Sequence, residues 1–155
     1  MATLGKAAGV FGAFVGGSEV LIKTLMQRAR TYIYTTAFPP MLASALMASL
    51  DLIRDETWRR EHLRELAAYL KQQLNTPSWR LLPSDTPIQA LIIGGNREVI
   101  AVSEGLRQRG ILVPAIRPPT VPKGEARLRI SLSAAHSKEE VAQLCEALNA
   151  LEKSA

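Results

Sequence analysis

In 125-EARLRISLS-133 the apolar residues Ala126, Leu128, Ile130 and Leu132 alternate with the polar Arg127, Arg129, Ser131 and Ser133. A period of two belongs to a strand whose two faces meet different surroundings. The segment therefore predicts a strand with one face in a core and two arginines on the other. Two guanidinium groups on one face fit a carboxylate site, because guanidinium grips carboxylate through parallel hydrogen bonds. A solvated edge strand shows the same pattern. Periodicity alone leaves both readings open.

Upstream lies 115-AIRPPTVPKGE-125, where Pro118, Pro119 and Pro122 fix φ and stiffen a loop that presents Thr120 in a set direction. Binding loops are built this way, and so are spacers. Downstream, Ser137 to Glu140 forms a capping box ahead of a helix carrying Val141, Leu144, Cys145 and Leu148 on one face. Cys145 reads as a small core residue. Further upstream, 87-PIQALIIGG-95 predicts an apolar strand. Asn96 can cap a helix with Val99, Val102 and Leu106, Gly110 closes it, and 111-ILV-113 follows as a strand.

From Met41 to about Leu74 the pattern is helical with a break near Asp55, and in its second half Leu63, Leu66, Ala67, Leu70 and Leu74 share a face. That length predicts a connector between two lobes. Before it, 32-YIYTT-36 is β-branched and aromatic and predicts a strand, stopped by Pro39 and Pro40. Residues 18–30 predict a helix capped by Ser18.

The first segment, 3-TLGKAAGVFGAFVGG-17, admits three readings. Gly9, Gly12, Gly16 and Gly17 disfavour the apolar helix of a signal peptide. A Walker loop needs a glycine five residues before Gly5 and a Ser or Thr after Lys6, and Ala7 stands there instead. A lysine among small residues remains. It is either a Schiff-base nucleophile or a solvated lysine near a frayed end.

The chain has 155 residues, enough for a real core, with a net charge of +5 spread among acidic residues and few aromatics. Nucleic acid is not the expected partner. No apolar run reaches the length of a membrane span, so no membrane partner is expected. One cysteine and two histidines, His62 and His136, provide neither a disulfide framework nor a metal cluster, as in a cytoplasmic, metal-free protein.

Three pieces, 3-TLGKAAG-9, 32-YIYTTAFPP-40 and 116-IRPPTVPKGEARLRISLSAAH-136, resemble in order and spacing the carboxy-terminal part of the α-oxoamine synthases. These are pyridoxal-phosphate enzymes of aspartate-aminotransferase-like fold, and the resemblance covers essentially the whole chain. It implies a mixed α/β and α+β architecture of fold type I. Residues 1–54 would be the end of the large α/β domain, with the lysine loop, a strand and the interdomain helix. Residues 55–155 would be the small α+β domain. The proline loop is most similar to the branch that condenses L-alanine with a pimeloyl thioester and releases carbon dioxide, with the 2-amino-3-ketobutyrate branch second.

The resemblance implies that Lys6 is the catalytic residue, holding pyridoxal 5'-phosphate covalently and then removing the α-proton of the substrate. It makes Thr3 a ligand of the cofactor phosphate and Thr35 and Thr36 ligands of the phosphate in a neighbouring subunit, which implies a homodimer. Arg129 would grip the substrate carboxylate and Thr120 would lie near the substrate. Arg127 receives no role, and His136 is expected to make a structural cap contact.

The family also carries, upstream of the lysine, a histidine that stacks on the cofactor and an aspartate that pairs with its ring nitrogen. Neither has a counterpart among these residues. The expectation is therefore that Met1 is internal to a longer protein or begins a truncated product, and that this polypeptide alone does not catalyse the condensation. The competing expectation is a non-catalytic α+β module over residues 55–155.

Overall fold

The computed structural model describes residues 1–153, which fall into two compact units, Met1–Thr57 and a second from Trp58 onward. In the first unit, β1 (Ala2–Thr3) pairs antiparallel with β2 (Ala13–Phe14). The intervening loop is closed by backbone hydrogen bonds from Leu4 N–H to the Gly12 carbonyl (2.8 Å), Val10 N–H to Leu4 (2.9 Å) and Gly9 N–H to Lys6 (2.9 Å). The last of these turns needs Gly9 at φ +63°, a region that disfavours a Cβ. Helix α1 (Glu19–Arg28) starts where expected, with the Ser18 hydroxyl accepting from Leu21 N–H.

The segment expected as a strand at residues 32–36 is instead the end of a short helix, α2 (Arg30–Ile33), and the turn after it. The amides of Tyr32 and Ile33 donate to the Ala29 carbonyl and that of Tyr34 to Arg30. β-branched and aromatic residues favour a strand only where a neighbouring strand completes the ladder. Here the nearest acceptors lie one turn back. Helix α3 (Pro40–Asp55) follows with Pro39 as its N-cap, and the break expected near Asp55 falls at Glu56. The Ser49 hydroxyl on α3 donates to the Ala8 carbonyl at 2.7 Å and so anchors the lysine loop.

The second unit contains α4 (Trp58–Gln73), β3 (Arg80–Leu81), β4 (Ile88–Gly94), α5 (Asn96–Arg107), β5 (Ala115–Ile116), β6 (Ala126–Ser131) and α6 (Lys138–Glu152). The strands form one antiparallel sheet in the order β3-β4-β6-β5. Its core joins Leu66 and Leu70 of α4, Leu91 of β4, Val99, Val102 and Leu106 of α5, Leu128 and Ile130 of β6, and Val141, Leu144, Cys145 and Leu148 of α6. The alternation along β6 is as expected, but the strand is interior to the sheet, so the solvated-edge reading is corrected. On its polar face Arg129 and Ser131 are exposed, while Arg127, opposite the buried Ile92 of β4, is half-buried.

Two further details depart from expectation. Asn96 is the first residue of α5, and Gly95 holds the N-cap position without a side-chain bond. The Glu98 carboxylate lies over the position that a Cβ of Gly95 would take. Residues 111–113 are not a strand: pairing with β6 begins at Ala115, because Pro114 has no N–H to donate and the Val113 carbonyl accepts from the Ser103 hydroxyl (2.6 Å).

Gly110 at φ +78° does end α5, with its N–H donating to Arg107 and that of Ile111 to Leu106, the paired bonds of a Schellman motif. The capping box of α6 is complete, Glu140 N–H donating to the Ser137 hydroxyl and Ser137 N–H to the Glu140 carboxylate. Helices α4 and α6 run side by side in register. His62 meets the His136 carbonyl, Cys145 the Leu70 carbonyl, and Asn149 both Asn75 N–H and the Gln73 carbonyl, each pair 74 to 76 residues apart. Among the described residues, no helix is long and apolar enough to cross a membrane.

Candidate active site

Lys6 sits in the turn between β1 and β2, exposed, and its ammonium makes no hydrogen bond or ion pair within the described residues. The loop around it is closed by backbone hydrogen bonds and carries small side chains next to the lysine. Ala7 and Ala8 present only methyl groups, and no heavy atom lies within 4 Å of where a Cβ of Gly9 would stand. A flat aromatic ring can thus approach this backbone closely. Thr3, the last residue of β1, is exposed with an unengaged hydroxyl. Thr35 and Thr36 follow α2 on the way to Pro39, also exposed and with unengaged hydroxyls. The amine of Lys6 and the hydroxyl of Thr3 are groups that fit a pyridoxal phosphate, whose aldehyde takes an amine and whose phosphate takes O–H and N–H donors. Thr3, Lys6, Thr35 and Thr36 all belong to the first unit, and no hydrogen bond links them.

Arg129 and Thr120 belong to the second unit. Arg129 lies on the open face of β6, opposite Ala90 of β4, with its backbone N–H donating to Pro114 and its guanidinium free of hydrogen bonds within the described residues. Thr120 is exposed in the proline loop, where its N–H closes a turn onto the Arg117 carbonyl (3.0 Å). Arg127, on the same face as Arg129, differs sharply. Its Nε donates to the Glu125 carbonyl at 3.0 Å and its Nη2 to the Glu125 carboxylate at 2.7 Å. The polar face therefore carries two arginines of which one is neutralised.

Glu125 went unread in the sequence, although its spacing of two from Arg127 places both on one face of an extended segment. His136 makes the cap contact expected of it. Its Nδ1 accepts from Ser133 N–H at 3.0 Å, which puts the ring proton on Nε2, and its carbonyl accepts from Nε2 of His62 at 2.8 Å.

The family described as aminotransferase class I and II matches residues 1–148. The chain belongs to that family. Among aminotransferase class I and II relatives, the 8-amino-7-oxononanoate synthase of Nitrosospira multiformis is 60% identical over 153 residues, covering 99% of this chain and 39% of its own length. The solved 8-amino-7-oxononanoate synthase of Francisella tularensis superposes with a TM-score of 0.83 at 29% identity, over 98% of this chain and 44% of that one. A serine palmitoyltransferase solved with pyridoxal phosphate superposes with a TM-score of 0.89 at 25% identity, over 98% and 39%. The architecture is that of the carboxy-terminal part of a fold type I transferase. The chain spans about two fifths of the length of these relatives.

Proposed function

We propose that this chain supplies the lysine and the substrate-carboxylate arginine of an 8-amino-7-oxononanoate synthase, which joins L-alanine to a pimeloyl thioester with loss of carbon dioxide in biotin biosynthesis. The observation that carries the reading is the 60% identity over 99% of the chain to a relative of that name. It is supported by a lysine loop that offers one unpaired amine in bare surroundings. In this reading residues 1–54 end the cofactor-binding domain and residues 55–155 form the small domain. The sites are shared across a homodimer, and the thioester is carried on coenzyme A or an acyl carrier protein. The 2-amino-3-ketobutyrate ligases are the alternative within the family.

Pyridoxal phosphate, when bound, supplies an electron sink for the charge left by the departing carboxylate. The residues of this chain supply the rest. Lys6 Nζ would hold the cofactor and, when free of it, would accept the α-proton of the bound alanine. Thr3, and Thr35 and Thr36 toward a neighbouring subunit, donate to the phosphate. Arg129 offers parallel donors to the α-carboxylate and so orients the alanine, while Thr120 on the stiff proline loop lies toward the bound substrate.

The test is to incubate the chain with pyridoxal phosphate, reduce with borohydride and map the pyridoxyl mass by peptide. The expected result is modification concentrated on the peptide containing Lys6. Labelling spread evenly over Lys23, Lys71, Lys123 and Lys138 would remove the assignment. Absence of any labelling in a folded protein would favour the stand-alone α+β module, whose separate core in the second unit is the observation in its favour.

A further inference from the structure

Arg127 and Arg129 leave the same face of β6 one strand repeat apart, about 7 Å between Cα atoms at ~3.4 Å per residue. Were both available, a small dicarboxylate could bridge them, and a monocarboxylate would have two competing seats. Arg127 is not available. Only 17% of its side chain is exposed, and Glu125 takes its Nε through the main chain and its Nη2 through the carboxylate. Glu125 is itself fixed: its N–H donates to the Pro122 carbonyl at 3.1 Å, closing a turn through Gly124 at φ +80° at the foot of the proline loop.

We infer that Glu125 is a positioning residue that withdraws Arg127 from carboxylate recognition and ties the Thr120 loop to β6. The face then accepts one carboxylate, at Arg129, and does not bind a dicarboxylate across both arginines. The geometry has two consequences. The positive charge on the open face falls by one where the substrate would otherwise meet a second cation. The loop bearing Thr120 also shares an anchor with the strand bearing Arg129, so the two move as one body. The inference rests on Arg129 as the carboxylate residue of the proposed function, but its test needs neither cofactor nor turnover.

The experiment follows the arginine Nε–H signals of the 155-residue chain by NMR during titration with succinate and with acetate. In the parent, succinate is expected to shift Arg129 alone, and weakly. In Glu125→Gln it should shift Arg127 and Arg129 together with at least about tenfold higher affinity, the size of one added charge-assisted hydrogen bond, while acetate gains a second, independent seat at Arg127 and keeps its affinity at Arg129. Amide exchange at Thr120 should quicken in the same variant.

Two further variants keep the result interpretable. Glu125→Asp retains the charge and should behave as the parent, and Glu125→Gln combined with Arg127→Met should lose the succinate gain. Succinate binding to Glu125→Gln that is no tighter than to the parent, or a gain that survives Arg127→Met, would overturn the inference. A succinate gain alongside failed labelling of Lys6 would sink the proposed function and leave the inference standing. Successful labelling without the gain would do the reverse.

Discussion

Arg127 and Arg129 are the same residue type on the same strand face, and only their neighbours distinguish them. Arg129 keeps its five donors free, so if the proposed function holds, Arg129→Ala in the full-length synthase is expected to raise KM for L-alanine by about ten- to a hundredfold, since a hydrogen bond to a charged group contributes roughly 1.5–3 kcal/mol. Steady-state kinetics would check this, and an unchanged KM would move the carboxylate elsewhere.

Cys145 illustrates the opposite fate of a reactive group. Burial, with a smaller contribution from the nearby Glu146 charge, pushes its thiol up to about 11. The unfolded thiol ionises near 9, so between about pH 9 and 11 the unfolded chain holds fewer protons than the folded one and stability falls as pH rises. The difference in unfolding free energy between the parent and Cys145→Ala should therefore shift across that window, by an amount on the order of 2 kcal/mol. A difference independent of pH would contradict the burial of the thiol.

At the scale of elements, legibility followed the amount of pattern available. The six residues of β6 declared themselves through uninterrupted alternation, and α6 through a four-residue capping box. The segment 32-YIYTT-36 had composition but no alternation, and without a partner strand its amides closed onto the preceding turn. At 111-ILV-113 the apolar run was correct in burying Val113, yet the following proline delayed the ladder. Glycine signals succeeded where φ is positive. Gly110→Ala, strained at φ +78° although no atom blocks its Cβ, should destabilise the second unit by about 1–2 kcal/mol. Ser137→Ala should cost about 1 kcal/mol through the lost cap. Urea titration with an unchanged slope would register both, and no loss at Gly110 would show that α5 ends by some other arrangement.

For the whole molecule, the division of buried surface sets the expectation. Among the described residues of the first unit only Val10 is buried, and Phe11, Val20, Met26, Tyr32, Tyr34 and Met41 are exposed. The second unit has a continuous core. Native-state hydrogen exchange should show amides of α4, β4, β6 and α6 opening together at the highest free energy, and those of α1 and α3 exchanging through much smaller openings. Uniform protection along the chain would contradict this. The candidate site was legible in part. Lys6, Thr120 and Arg129 stood out as candidates from the residues around them, whereas Thr3, Thr35 and Thr36 came from resemblance alone. The neutralisation of Arg127 needed the side-chain geometry, because a charge two residues away says nothing by itself of which donor it will take.

The in-register pairing of α4 and α6 makes the second unit keep count. Every contact along that seam spans nearly the same stretch of chain, so the two helices behave like the edges of a zip whose teeth are spaced by helical rise. Removing one residue within α6 turns all that follows by about 100° and misaligns each later tooth at once, whereas an added residue in a loop between the two helices shifts none of them. Reading-frame-preserving length changes are thus sorted by position: the loops between the two helices absorb them, and the helices do not.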